Sequence, residues 1–267
     1  MTGVFHTIVE RRELLYNLVS RELKSRHKGS VLGFLWTVLT PLFMAIVYVF
    51  FLRMLVGRGV PTEEIIIGVF AWTFTMQCVN GGMMCVTGNG NLVKKVQFPR
   101  IILPVATVLA NLVGYLLSLV VQFPLVALLL MHRGLHTGPA LLLFPVVLLL
   151  HLLFNLGLAL LLSSLNVYFR DTQHLVGVLT SAWFFVSPVM YNLSFVQQLA
   201  AKMPLLIPAY LLNPMAVIIT GYRACVLPGT PFPWSPFVAA SLIATAFFLW
   251  GTYVLFQRLQ RYFADML

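Results

Sequence analysis

The sequence predicts an all-α integral membrane protein with six transmembrane helices, an N-terminal interfacial amphipathic helix and re-entrant external helices between spans five and six. Three observations carry that reading. The 267 residues are 60% hydrophobic and only 9% charged, with a mean hydropathy of +0.93, whereas water-soluble domains carry about 25% charged residues. Long apolar runs recur, each suited to an apolar bilayer core of about 30 Å. Short polar islands separate them, and basic residues collect on one side of the resulting topology.

Residues 7–28 alternate apolar groups with Arg11, Arg12, Arg21, Lys24, Arg26 and Lys28, set against Glu10, Glu13 and Glu22. A signal peptide needs an uninterrupted apolar core, and none is present. An interfacial amphipathic helix on the cytoplasmic face fits better. Gly29 to Gly33 then turns the chain into the bilayer. Span one, Leu32 to Leu52, places Trp36 and Tyr48 near its ends, where aromatic belts lie. Arg53, Arg58, Pro61, Glu63 and Glu64 form an exit loop. Span two, Ile65 to Val86, carries Gln77, Asn80, Gly81 and Gly82, which suit close helix packing or a wet cavity.

The first polar island, Thr87 to Arg100, opens with helix-breaking Gly and Asn and is closed by Pro99. Leu92, Val93, Val96 and Phe98 interleave with Lys94, Lys95 and Arg100, as in a short amphipathic helix at a membrane surface. Two roles fit it: a loop whose lysines fix topology, or a rigid peg that a soluble partner pushes on. Span three, Ile101 to Met131, exceeds a straight crossing, and Pro124 would kink it or mark its end. His132 and His136 follow at i,i+4 spacing, but Gly134 lies between them and no carboxylate is near, so no metal site is assigned. Span four is Ala140 to Leu165, the second island Asn166 to His174, and span five Leu175 to Met190, about 16 residues by the run that ends at Ser187-Pro188.

Residues 192–235 hold two apolar pieces, Leu205–Leu212 and Met215–Leu227, each too short to cross alone. Joined, they would make a seventh span and leave the C-terminus outside. They are read instead as re-entrant or interfacial helices sheltered by protein, because bare backbone in lipid is costly. Span six is Phe237 to Phe256. The chain is thus expected to be one transmembrane domain: residues 1–31 the interfacial helix and turn, 32–257 the six-span region, 258–267 a cytoplasmic tail. Of the 17 Lys and Arg, twelve fall on the side of the termini and both islands. Five (Arg53, Arg58, Arg133, Lys202 and Arg223) fall on the other. That bias marks the first side as cytoplasmic.

The net charge of +10 does not point to nucleic acid, since no basic face with stacking aromatics stands free of the apolar runs; topology and anionic lipid account for it. The three cysteines, Cys78, Cys85 and Cys225, are scattered and imply no disulfide framework. All seven carboxylates are placed outside the spans, so the ionisable group expected of an ion-coupled carrier at membrane depth is missing. Backbone carbonyls could still bind a cation, which keeps such a carrier open as a remote alternative beside a lipid-modifying enzyme. No GxxxxGK[ST] loop and no Ser/His/Asp or paired-carboxylate arrangement occurs. Uphill transport by this chain would need energy from another polypeptide.

Four stretches are recognisable in order: RELKSRHKGSVLGFLW (Arg21–Trp36), NLVKKVQFPRIILP (Asn91–Pro104), LNVYFRDTQH (Leu165–His174) and LNPMAVIITGYR (Leu212–Arg223). Together they resemble the ABC-2-type polysaccharide export permeases, closest to the transmembrane subunits of O-antigen and teichoic-acid exporters of the Wzm and TagG kinds. The resemblance implies a subunit of the bacterial cytoplasmic (inner) membrane that is not itself an enzyme. It implies a second copy of the chain, two copies of a cytoplasmic ABC ATPase that carry the ATP and Mg, no cofactor on this chain, and a lipid-linked polysaccharide as cargo. Permeases for teichoic acid, capsule, a drug or a small lipid remain alternatives. Coupling to the ATPase would fall on Asn91, Lys94, Lys95, Phe98, Arg100, Tyr168, Arg170 and Asp171.

A lipid-linked polymer presents a pyrophosphate at the membrane surface. Arg21, Lys24, Arg26 and Lys28, followed by Gly29 and Ser30, are the candidates to hold it. Arginine offers paired donors to phosphate oxygens, and the first backbone N–H groups of span one could complete an anion site. The same cations also serve topology and lipid attraction. Sugar rings stack on aromatic faces, and Trp36, Tyr48, Trp72, Trp183 and Tyr191 are the candidates for a sugar path.

Overall fold

In the computed structural model, which describes residues 11–26, 29–55, 60–169, 171–200, 206–232 and 234–267, the apolar runs have become helices, and the described residues contain no strand. Helix α1 (Arg12–Arg26) is followed by a turn that only glycine takes without strain, with φ of 81° at Gly29 and 49° at Gly33. Then come α2 (Trp36–Leu55), α3 (Thr62–Thr87), the short α4 (Gly90–Lys95) and α5 (Ile102–His132). Helix α6 (Phe144–Tyr168) is entered through a 3₁₀ turn, Pro139–Leu143, and α7 is Thr172–Val186. The small helices α8 (Leu193–Ala200), α9 (Leu206–Leu211) and α10 (Pro214–Val226) precede α11 (Pro236–Leu259), a 3₁₀ turn (Gln260–Tyr262) and α12 (Phe263–Met266).

Five stretches are long and apolar enough to cross a membrane among the described residues: Trp36–Met54, Thr62–Thr87, Ile102–His132, Pro139–Tyr168 and Pro236–Met266. The expected fifth crossing falls on α7, whose 15 residues give about 22 Å of helix, short of a 30 Å core. Pro124 does not end α5, which runs through it to His132.

Helix α3 is the centre. It packs against α6 and α5 along most of its length, and against α2 and α10. Small residues allow this. A Cβ on Gly82 would lie 2.8 Å from the Ala159 Cα, so α3 and α6 meet backbone to backbone. A Cβ on Gly157 would lie 2.9 Å from the Phe248 ring, which brings α11 onto the other side of α6. Helix α10 packs against α6 and α3, so its backbone is sheltered by protein.

Three sequence expectations need correction. Glu63 and Glu64 do not stand in an exit loop; they occupy the first turn of α3, where unpaired N–H groups favour a negative charge. Glu63 is buried and paired with Arg133 at 2.8 Å. Arg223, counted among the outer charges within the apolar piece Met215–Leu227, does not face solvent: it lies inside α10 and is 2% exposed. Finally, an ionisable group does sit within a span. His151 of α6 is buried, its Nε2 2.7 Å from the Thr75 hydroxyl and its Nδ1 3.2 Å from the Tyr222 hydroxyl. These contacts tie α6 to α3 and α10, with Phe74 edge-on to the imidazole.

The α3–α6 contact is directly testable. Gly82→Leu forces the Ala159 backbone away and should sharply lower the amount of folded protein recovered from membranes. Gly177→Leu, on α7 with nothing within 4 Å of an added Cβ, should be tolerated. Equal recovery of both variants, measured by size-exclusion of detergent extracts, would contradict this packing.

Candidate functional site

One end of the bundle draws together both polar islands, α1 and the C-terminus. Asn166, the first residue of the second island, donates its amide to the Met83 carbonyl (2.9 Å) and the Thr87 hydroxyl (3.3 Å) at the end of α3. Gln173 in turn donates to the Asn166 Oδ1 at 3.3 Å. Asn89, in the turn between α3 and α4, donates to the Cys85 carbonyl at 2.8 Å and accepts from Arg21 of α1. Carbonyls at the end of α11 and in the 3₁₀ turn after it take side-chain donors from the islands. The Tyr168 hydroxyl donates to that of Leu259 (3.0 Å), and Arg100 to that of Gln260. Below them Phe263 is fully buried, its ring edge-on to Phe256 and Tyr168. The expected C-terminal tail is therefore built into the site.

The residues expected to face a partner divide into two groups. Asn91, Lys94 and Lys95 are exposed on α4, and Asp171 is exposed just before α7. Arg100 and Tyr168 are instead turned onto the end of α11, and Phe98 is half-buried against the cluster of Val93, Ile101 and Phe263. Arg170 lies outside the described residues. The large apolar groups exposed here include Val96, read from the sequence only as part of the amphipathic island, and Phe169, which sequence reasoning did not single out. Helix α4 is only six residues long. Val96 leaves it in extended geometry, and Pro99 disfavours helix at Phe98. An open cleft of about 720 Å³ lies between Lys94–Arg100 on one side and Gln260, Arg261 and Ala264 on the other.

The candidate pyrophosphate residues are partly engaged. Arg21 and Lys24 are exposed on α1, with Arg21 bonded to Asn89. The Ser30 hydroxyl accepts from the Gly33 N–H at 3.2 Å and closes the turn that Gly29 opens. Lys28 and the side chain of Arg26 lie outside the described residues.

Three of the five aromatic candidates meet. Trp72 packs edge-on against Trp183 (5.4 Å) and Phe184 (5.5 Å), and Tyr48 lies 5.5 Å from Phe184. Tyr48, Trp72 and Phe184 line a largely apolar groove of about 540 Å³ between α2, α3 and α7. Trp183 donates its Nε1–H to Asn213, the residue that also caps α10. Trp36 stands apart, exposed at the start of α2. Tyr191 also stands apart, after α7, with its hydroxyl donating to the Phe185 carbonyl at 3.1 Å. Burial pushes the Tyr191 phenol up to about 12, against the opposing charge of Arg223, so it stays a donor at neutral pH.

At the opposite end, Arg223 fastens three segments. Its guanidinium donates to the carbonyls of Glu64 (2.8 and 3.1 Å), Tyr191 (2.7 Å) and Val189 (3.3 Å), with the Glu64 carboxylate 4.0 Å away. Gly68 makes room, because a Cβ there would lie 2.6 Å from the Val189 carbonyl oxygen. The sequence signal was present, as Arg223 ends the fourth recognisable stretch within the piece Met215–Leu227, but by charge alone it counts as an outer cation. His151 was passed over for the opposite reason, a single polar letter in an apolar run.

Arg223→Met should lower the stability of the detergent-purified protein by about 3–5 kcal/mol, since it strands buried acceptors and a buried carboxylate. Arg223→Lys should fall between, keeping the charge but losing the fork. Thermal unfolding checks both, and an Arg223→Met protein as stable as wild type would remove this seat from the account.

Comparison with known proteins points to one family. A family model described as ABC-2 type transporter matches residues 13–227. The chain is 35% identical over 267 residues, 99% of each chain, to the O-antigen export system permease protein RfbA of Myxococcus xanthus. It is 26% identical over 221 residues, 82% of each chain, to the protein of the same name from Klebsiella pneumoniae. With its apolar helices and this match across most of its length, the chain belongs to the ABC-2 type transporter family and is a multi-pass membrane protein.

Proposed function

We propose that this chain is the permease subunit of an ATP-driven exporter that moves a lipid-linked, O-antigen-like polysaccharide across the bacterial cytoplasmic membrane. The observation that carries the reading is its end-to-end similarity to a protein named as an O-antigen export permease. The chain has no phosphate-binding loop of its own, so ATP and Mg belong to a separate ATPase. That ATPase docks on the end where the islands meet. Lys94, Lys95 and Asp171 set register there, while Val96 and Phe169 supply apolar contact. Exposed ion pairs alone are worth about 0–1 kcal/mol, so the apolar pair carries most of the hold.

In this reading the chain crosses six times, with α7 and the Ser187–Met190 segment completing the fifth crossing and both termini in the cytoplasm. Two copies pair. The exposed apolar faces of α2 (Phe43, Phe50) and α7 (Val178, Phe185) flank the aromatic groove, so a second copy would turn Tyr48 and Trp72 toward a shared sugar path. The pyrophosphate waits at Arg21, Lys24, Arg26, Lys28, Gly29 and Ser30, where charge and backbone donors favour an anion.

Deleting the gene should abolish surface polysaccharide while lipid-linked polymer accumulates inside, and the chain should restore export only with its ATPase. Restoration without any ATPase would defeat the proposal. For topology, a cysteine at Phe232 should react with an impermeant reagent from outside, and cysteines at Lys94 and Asp171 only after permeabilisation. Labelling of Arg258→Cys from outside would rule out the six-crossing arrangement.

A further inference from the structure

We propose that the C-terminal segment Gln260–Leu267 is one wall of the ATPase-docking surface, and that with the first island it forms a basic cleft for an acidic, partly apolar segment of that ATPase. The inference rests on the docking reading above and adds to it a second structural element and the chemistry of what binds.

The cleft of about 720 Å³ has Lys94, Lys95, Phe98 and Arg100 on one wall and Gln260, Arg261 and Ala264 on the other. Four cations line it and no carboxylate does. Two ion pairs, Arg133–Glu63 and Arg223–Glu64, lie at the opposite end and use none of these four. The nearest acidic residue in sequence, Asp265, is exposed and is not among the lining groups. Like charges held around one cleft raise its energy until a complementary charge enters. Val96, Phe98, Pro99 and Ala264 supply the apolar part. A protein segment with acidic flanks and an apolar centre matches both features.

A lipid headgroup fits less well. It matches the cations alone and leaves Val96, Phe98, Pro99 and Ala264 without an apolar partner.

The second wall is not a loose tail. Phe263 is fully buried between Phe256 and Tyr168, and the Tyr168 hydroxyl and Arg100 guanidinium hold the last carbonyls of α11. The Leu267 Cβ lies 3.9 Å from where a Cβ on Gly90 would sit, which closes the segment back onto α4. A partner seated in the cleft therefore bears on α4 and on α11 at once.

The test uses the permease co-purified with its ATPase in nanodiscs, with photoreactive benzoylphenylalanine placed at Val96 or at Arg261, both exposed. Crosslinks to the ATPase from both positions are expected. Crosslinking from Val96 alone would overturn the second wall and leave docking at the island intact. Crosslinking of Arg261 to lipid would identify a headgroup as the occupant and also overturn it. No ATPase crosslink from either position would remove the docking reading itself. Arg261→Glu should weaken ATPase retention about fivefold at low ionic strength, at an unchanged permease level. That loss should shrink as salt rises. Unchanged retention would overturn the acidic chemistry.

Discussion

A helix enclosed by other helices must be held by their packing and by hydrogen bonds at its ends, and α3 is that helix. Its middle has no room for adjustment, because Gly82 brings its backbone against that of Ala159 on α6. Its two ends are fixed by different chemistry. At one, the Arg223 guanidinium seats on the Glu64 carbonyl; at the other, the Asn166 amide seats on the Met83 carbonyl and the Thr87 hydroxyl. Both polar anchors come from neighbouring helices, α10 and α6. The islands, the small helices α8 to α10 and the C-terminus are arranged around this tightly packed helix.

The same constraint explains the polar residues in an apolar interior. A lone histidine or arginine in a low-dielectric region is costly unless its hydrogen bonds are met. His151 has hydroxyl partners on two other helices, and Arg223 meets carbonyls from three points along the chain. Each therefore fixes relative position as well as being tolerated. The aromatic rings around His151, Phe74 and Tyr115 stacked at 4.8 Å, fill the space these bonds define.

The helical class, the long spans and the positions of both islands were legible in the sequence, because apolar runs and basic asymmetry are local signals. What was illegible depended on contacts between distant residues. Glu63 and Glu64 read as loop charges until Arg133 and Arg223 are seen beside them. Arg100 and Tyr168 lie in recognisable stretches, yet no local pattern says that they turn onto carbonyls 160 and 91 residues away, respectively. Val96 and Phe169 show the converse: their exposure follows from where α4 and α6 end, not from residue type. The candidate pyrophosphate residues stand between these cases, since α1 is placed but Lys28 lies outside the described residues.

Packing also separates the parts of the bundle that can move from those that cannot. Parting α3 from α6 would break the backbone approach at Gly82, the Thr75–His151 bond and the Asn166 anchor together. Helices α2 and α7 carry no such restraint between them. They face each other across an open groove through Tyr48 and Phe184, and most of the α7 surface is exposed. Sparse burial marks the low-stability elements from which conformational change is drawn. Helix α7 is nonetheless tethered at both ends, by Gln173 to Asn166 at the island end and by Trp183 to Asn213 at the other. Helix α7 thus connects the island end to the cap of α10 by a hydrogen bond near each end, while most of its own surface stays exposed.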